Sequence, residues 1–273
     1  MPIFCLENLM KIILKVIVMV VIFIEGLSAF KIDPYPQETS LTEIFSINCL
    51  QMTQSQQMLK AYIMVGVKNN FQNPEEHLAE AIVDYDKRMY QVRKYFYTVL
   101  TKKSHKNAKK SFDDALDLWK INKKMLEAEP SKENVLLIKK NFLKMINKLL
   151  EGTQPIATPE LELISLTGKL CRKPMEVTID YLIRMWGVEV EDYEKNIEST
   201  IAKYHNNLKL LSANKLNNNE SLALLKKAEK EFKFFEFMYK SKTKFVPSLL
   251  SKKADDNFLI IRSIKQIYKK QAS

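Results

Sequence analysis

The chain has 273 residues, 46% of them hydrophobic and 27% charged, with five glycines and nine prolines. That composition excludes a disordered polymer and leaves room for one large domain or two small ones. The net charge of +11 is spread along the chain, with clusters at Lys102-Lys103 to Lys109-Lys110 and at Lys269-Lys270. These fall in a predicted loop and a tail. With no glycine-rich loop or aromatic platform beside them they read as solvated surface, so no nucleic-acid partner is expected.

The N-terminus has the order of a secretory signal. Lys11 and Lys15 precede the apolar run Val16 to Ile24, and Glu25-Gly26-Leu27-Ser28-Ala29 follows. The uncharged core is well short of the ~20 apolar residues that a membrane span needs. Residues 1–29 are therefore expected to be a signal peptide, with Met10 as an alternative start. The mature protein is then periplasmic or secreted; an uncleaved N-terminal anchor is the alternative. Cys49 and Cys171 remain after such a cut. They could form one disulfide, or serve as small apolar helix residues. No CxxC or Cys/His cluster suggests a metal, and no cofactor is expected.

From Leu41 onward the pattern is helical and written twice. The first helix is predicted from about Leu41 to Val67, with Thr39 or Ser40 as N-cap and Glu43 in its first turn. Asn73-Pro74-Glu75-Glu76 opens the second, whose seam is Leu78, Ile82, Tyr85, Met89, Val92, Phe96 and Val99. The third carries Phe112, Leu116 and Trp119. The fourth follows Glu129-Pro130-Ser131, with Val135, Ile138, Phe142, Met145 and Leu149 on its seam. Glu151 to Pro159 reads as a joint. The same steps then recur at an offset of 119 residues: Ile197, Ile201, Tyr204, Leu208 and Leu211 answer Leu78 to Val92, and Glu43/Glu162 and Tyr62/Tyr181 also match. The expectation is an all-α fold of two tandem four-helix bundles, residues 40–151 and 160–271, with up-and-down antiparallel helices.

One helix carries polar residues on its apolar stripe. The first helix's seam reads Leu41, Phe45, Asn48, Met52, Ser55, Leu59, Tyr62 and Gly66, flanked by Gln51 and Gln56. Polar groups on a seam need partners. Asn48, Gln51, Ser55, Gln56 and Tyr62 are the candidate ligand-binding residues; the alternative is that they bond to neighbouring helices and fix register. His77, His105 and His205 stand in no hydrolase or metalloprotease motif, so no catalytic residues and no enzymatic activity are expected.

The segment Gln51-Met52-Thr53-Gln54-Ser55-Gln56-Gln57-Met58-Leu59 resembles the first-helix motif of PilJ-type sensor domains. These stand at the N-terminus of type IV pilus chemotaxis transducers, and nitrate-sensing kinases carry a related domain. Gln51, Ser55, Gln56 and Met58 match the motif, Cys49 stands at its glycine, and Met52 replaces its arginine. In the second copy Gly168 keeps the glycine, while Leu170, Pro174 and Met175 replace polar motif residues. Phe237 to Leu249 is similar to the stretch before the family's last helix. The resemblance implies an extracytoplasmic sensor or ligand-binding module with a degenerate second copy. Its partners would be a small-molecule ligand and a membrane transducer or other protein. Met52 in place of the arginine argues against nitrate. The other reading is a helical interaction protein that binds a protein, lipid or cell-wall partner. N-terminal sequencing of the mature protein is expected to start near Phe30; an intact Met1 or Met10 on a cytosolic protein would overturn the signal assignment.

Overall fold

Eight α-helices and no strand make up the described residues, 40–98, 106–241 and 246–272, of the computed structural model of this protein. The helices are α1 (Leu41–Gly66), α2 (Pro74–Thr98), α3 (Lys106–Leu126), α4 (Lys132–Thr153), α5 (Pro159–Met185), α6 (Tyr193–Ser212), α7 (Asn219–Ser241) and α8 (Pro247–Ala272). The signal-like segment 1–29, Val99, His105, the basic residues 102–103 and residues 242–245 lie outside the described residues. All the described ones belong to one compact unit, Pro36–Ser273. None of the described helices is long and apolar enough to cross a membrane.

Local chemistry sets the helix starts. The Ser40 hydroxyl accepts from the Glu43 amide at 3.1 Å, Ser131 from the Asn134 amide at 3.3 Å and Thr158 from the Leu161 amide at 3.4 Å. Each satisfies a donor that the first helical turn leaves open. Pro74, Pro159 and Pro247 occupy first helical positions, where a missing N–H costs nothing. The joint is shorter than the sequence suggests. Helix α4 runs on through Gly152 and Thr153, and only a 3-10 turn, Gln154–Ile156, and two further residues separate it from α5. Gly152 marks a close helix contact instead of a break: a Cβ there would lie 3.2 Å from the Ala108 carbonyl of α3. Pro174 likewise does not end α5.

Consecutive helices are antiparallel. In the pair α6/α7, Tyr239 reaches Glu198 while Tyr204 reaches the Ala228 carbonyl; in α2/α3, Tyr97 reaches Asp113 while Trp119 reaches Asp86. The seams meet as the spacing predicts: Leu78, Ile82, Tyr85, Met89, Val92 and Phe96 of α2 are buried, as are Val135, Ile138, Phe142, Met145 and Leu149 of α4.

Helices α1 and α5 run side by side in the same direction. Near their starts Cys49 donates to the Ile164 carbonyl at 3.2 Å; near their ends Gly66 lies under the Trp186 ring. Cys49 and Gly168, which correspond at the 119-residue offset, face each other: a Cβ on Gly168 would sit 2.9 Å from the Cys49 Cβ. Helix α8 runs antiparallel to α1, with Glu43 pairing Lys269 at one end and Asn69 bonding Ser248 at the other. Gly168→Ala is expected to destabilise the protein by about 1–3 kcal/mol despite alanine's better helix propensity, because the new methyl overpacks the α1–α5 contact. The double variant Cys49→Gly with Gly168→Ala should recover much of that loss in urea denaturation. An unchanged midpoint for the single variant would refute the close contact.

Candidate ligand-binding site

Helix α1 lies at the centre of the described structure. Every residue from Ile44 to Met64 is buried, so α1 has no solvated face. Its neighbours follow from its contacts. Gln54 donates to the Ala81 carbonyl of α2 at 3.3 Å, Tyr62 accepts from the Ser131 amide at the start of α4 at 2.9 Å, Cys49 meets α5, and Lys60 meets Asp255 of α8. Surface helices alternate apolar and polar stripes. This one cannot, and its polar residues must be accommodated inside.

All five candidate residues are buried, none more than 3% exposed. At about 100° per residue, Asn48, Gln51, Ser55 and Tyr62 fall within one arc of roughly 60°. That arc includes the direction in which Tyr62 reaches α4. Gln56 lies elsewhere: it is two turns on from Cys49, on the stripe that meets α5. The structure therefore groups four of the five and separates the fifth.

Two of the four have protein partners. The Ser55 hydroxyl donates to the Met52 carbonyl of its own helix at 2.9 Å, and Tyr62 holds the Ser131 amide while its ring meets Trp186 edge-on at 6.3 Å. Asn48 and Gln51 are different. Both ends of both carboxamides are buried with no hydrogen-bond partner among the described residues, and the Gln56 amide nitrogen is in the same state. A buried polar atom without a partner costs about 1–3 kcal/mol, so this concentration is expensive by the standard of folded proteins.

Asn122 of α3 belongs to the same class. It is fully buried, and neither end of its amide has a partner among the described residues. It is one turn beyond Trp119, whose ring packs on Tyr85 at 4.3 Å. The sequence reading passed over it, although the steps Ala115, Trp119, Asn122, Leu126 place it on the α3 seam by the same spacing that singled out Asn48.

Two cavities adjoin α1, and neither is lined by any of the five candidates. One, of about 10 Å³, lies between Cys49, Thr53, Gly168 and Cys171, with Phe258 and Lys265 of α8; that is space for about one water. The other, of about 250 Å³, opens where the starts of α1 and α5 meet the end of α4. Both cysteines are free. Burial pushes their thiols up, Cys49 to about 11 and Cys171 to about 12, so they are poor nucleophiles and poor metal ligands. Among the described residues no three His, Cys, Asp or Glu side chains are grouped to hold a metal ion. His77 is half-buried with a lowered pKa, chiefly from that burial, and His205 contacts Glu236 at 2.6 Å. Carboxamides both donate and accept but do not titrate, so the α1 row can recognise a polar molecule and cannot move its protons.

A charged pair was also hidden in the motif segment. Lys60 donates to both oxygens of Asp255, at 2.6 and 2.8 Å, with each side chain 4% exposed. Burial holds the Asp255 carboxyl above its usual range, and the Lys60 charge offsets this only in part. Matched with models of protein families, with curated proteins and with solved structures, the chain finds no counterpart in any of the three.

Lys60→Met leaves the Asp255 charge buried and unpaired, which is expected to cost about 3–5 kcal/mol at neutral pH. A carboxyl whose folded-state pKa is raised loses stability as pH rises through that range, so the variant's deficit should shrink as pH falls and the acid becomes neutral. Adding Asp255→Leu should restore most of the stability. Urea titrations at several pH values measure all three, and a pH-independent deficit would contradict the assignment.

Proposed function

We propose that this chain is a non-enzymatic, extracytoplasmic helical module that senses or binds a small polar ligand. In this reading the eight helices are two tandem four-helix bundles, residues 40–151 and 160–271, joined through α1 and α5. The observation that carries it is the enclosed α1 row, where Asn48 and Gln51 keep four hydrogen-bonding atoms buried and unused by the protein. A core that needed only to fold would gain by replacing them with apolar residues of similar shape. Their retention at the centre is accounted for by a polar guest. The resemblance of Gln51 to Leu59 to the PilJ-type motif, and the signal-like residues 1–29, point to the same class and to a membrane transducer as partner.

A scaffold role has its own support. Leu136, Leu137 and Leu143 of α4 are each at least 40% exposed, and Leu136 and Leu143 lie two turns apart on one face. Exposed apolar side chains at helical spacing suit a protein partner.

A thermal-shift screen of the full chain against inorganic anions, amides and small polar metabolites separates the two. Ligand binding is expected to raise the melting temperature in a saturable way. The shift should vanish in Asn48→Leu and Gln51→Met, which keep side-chain volume but remove the amides. No response to any compound, or a response that both variants retain, would overturn the ligand-binding reading.

A further inference from the structure

The 250 Å³ cavity lies far from the Asn48 and Gln51 amides in chemical character, and the internal repeat says what is missing from it. Its walls come from Phe45 of α1, Leu150 of α4 and Leu166 of α5, and its polar groups include Glu162 and Lys169 of α5. At the 119-residue offset Glu162 corresponds to Glu43 and Leu150 corresponds to Lys269. Glu43 and Lys269 form an ion pair in which the last turn of α8 delivers an ammonium to a glutamate in the first turn of α1. At the corresponding place in the other copy, the last turn of α4 carries Leu150. No ammonium arrives, Glu162 has no ion-pair or hydrogen-bond partner for its carboxylate among the described residues, and a cavity opens beside it. The repeat thus holds the same socket twice, once filled by the protein's own lysine and once empty of it.

The open socket has a second lone charge. Lys169 also lines the cavity and makes no ion pair among the described residues. It follows Glu162 by seven residues, two turns along the same face, or about 10 Å along the α5 axis. Between the two charges the wall carries Phe45, Leu150 and Leu166, with the Ser165 hydroxyl beside them. The C-terminal end of α4, at Thr153, borders the cavity and adds the partial negative charge of its last carbonyls.

We propose that this cavity binds a linear molecule with a primary ammonium at one end of a short aliphatic chain and a carboxylate at the other, an ω-amino acid. The ammonium takes the place of Lys269, against Glu162 and the end of α4. The methylenes lie along Phe45, Leu150 and Leu166. The carboxylate meets Lys169. A cation alone would leave Lys169 opposed to it, and an anion alone would face Glu162, so the pair of charges selects a molecule that bears both. The α1 carboxamides take no part in this site, and the two sites are tested separately.

The probe is 6-aminohexanoate, titrated calorimetrically into the full chain, with hexylamine and hexanoate as one-charge comparisons. 6-Aminohexanoate is expected to bind, and each one-charge compound to bind at least about tenfold more weakly. Glu162→Gln and Lys169→Met should each weaken 6-aminohexanoate about tenfold or more. Leu150→Lys, which rebuilds in α4 the lysine that α8 has, should close the socket and abolish binding while leaving the melting temperature unchanged or higher. Gln51→Met should leave 6-aminohexanoate binding intact. No heat at about 10 mM 6-aminohexanoate, equal binding of hexylamine or hexanoate, or undiminished binding to Leu150→Lys would each overturn the proposal. Glu162 is exposed, so Glu162→Gln keeps the test decisive even if Leu150→Lys fails to fold.

Discussion

Enclosure of α1 on all sides is the constraint from which the rest of this structure follows. A helix with a wet face can send its polar residues to water, and its partners need cover only one stripe. Here four helices close around α1, so every side chain on it must be apolar, paired or tolerated unpaired. Each solution is present. Ile44, Met58, Leu59 and Ile63 are apolar; Lys60 finds Asp255; Thr53 and Ser55 turn back to their own helix carbonyls. Asn48 and Gln51 remain, with neither end of either amide partnered among the described residues.

The α1–α5 contact fixes how the copies meet. Cys49 and Gly168, matched at the 119-residue offset, touch across this contact. Lys60 of α1 reaches Asp255 of α8, while Asp180 of α5 pairs with Lys139 of α4. Asp180 is one position past the equivalent of Lys60, and Lys139 is three past the equivalent of Asp255. A charge pair thus joins α1 to α8 and another joins α5 to α4, with the signs exchanged and at nearby but not equivalent positions. Burial raises the carboxyl in both pairs, and its lysine partly offsets this. Neither pair is strong evidence for stability, but each penalises any arrangement that would leave one partner alone.

Much of this was legible in the residues. Helix type, order and starts could be read because capping chemistry and 4-3 seams act locally, and Ser40, Pro74, Ser131 and Pro159 do in the structure what such residues do elsewhere. The polar seam of α1 was visible for the same reason. What the sequence did not show was depth. Lys60, Gln54 and Gln57 look like solvated surface in a one-dimensional pattern, since the periodicity of one helix carries no information about a second layer of helices behind it. Gly152 misled in the opposite direction: glycine is a breaker in isolation, yet close approach of α3 is an equally good reason for it, and only the neighbour's position decides. Arg172 pairs with Glu176 at 2.6 Å, a contact implicit in the i, i+4 spacing.

Depth also explains why the two copies differ in chemistry at matching positions. Thr53, Gln54 and Gln57 of α1 correspond to Arg172, Lys173 and Glu176 of α5. In α5 the three are charged and joined, Glu176 lying 2.6 Å from Arg172 and 2.5 Å from Lys173. Burial alone would raise the Glu176 carboxyl, but the two cations outweigh it and bring it below its usual range. The Arg172 and Glu176 side chains keep 12 and 13% exposure, enough for water to share their solvation. In α1, Thr53 faces α5 and α8 while Gln54 faces α2, and there the positions hold a hydroxyl and two amides, which can be buried without an ionic partner at far lower cost. At these matching positions α1 is therefore uncharged, while α5 is joined by salt bridges.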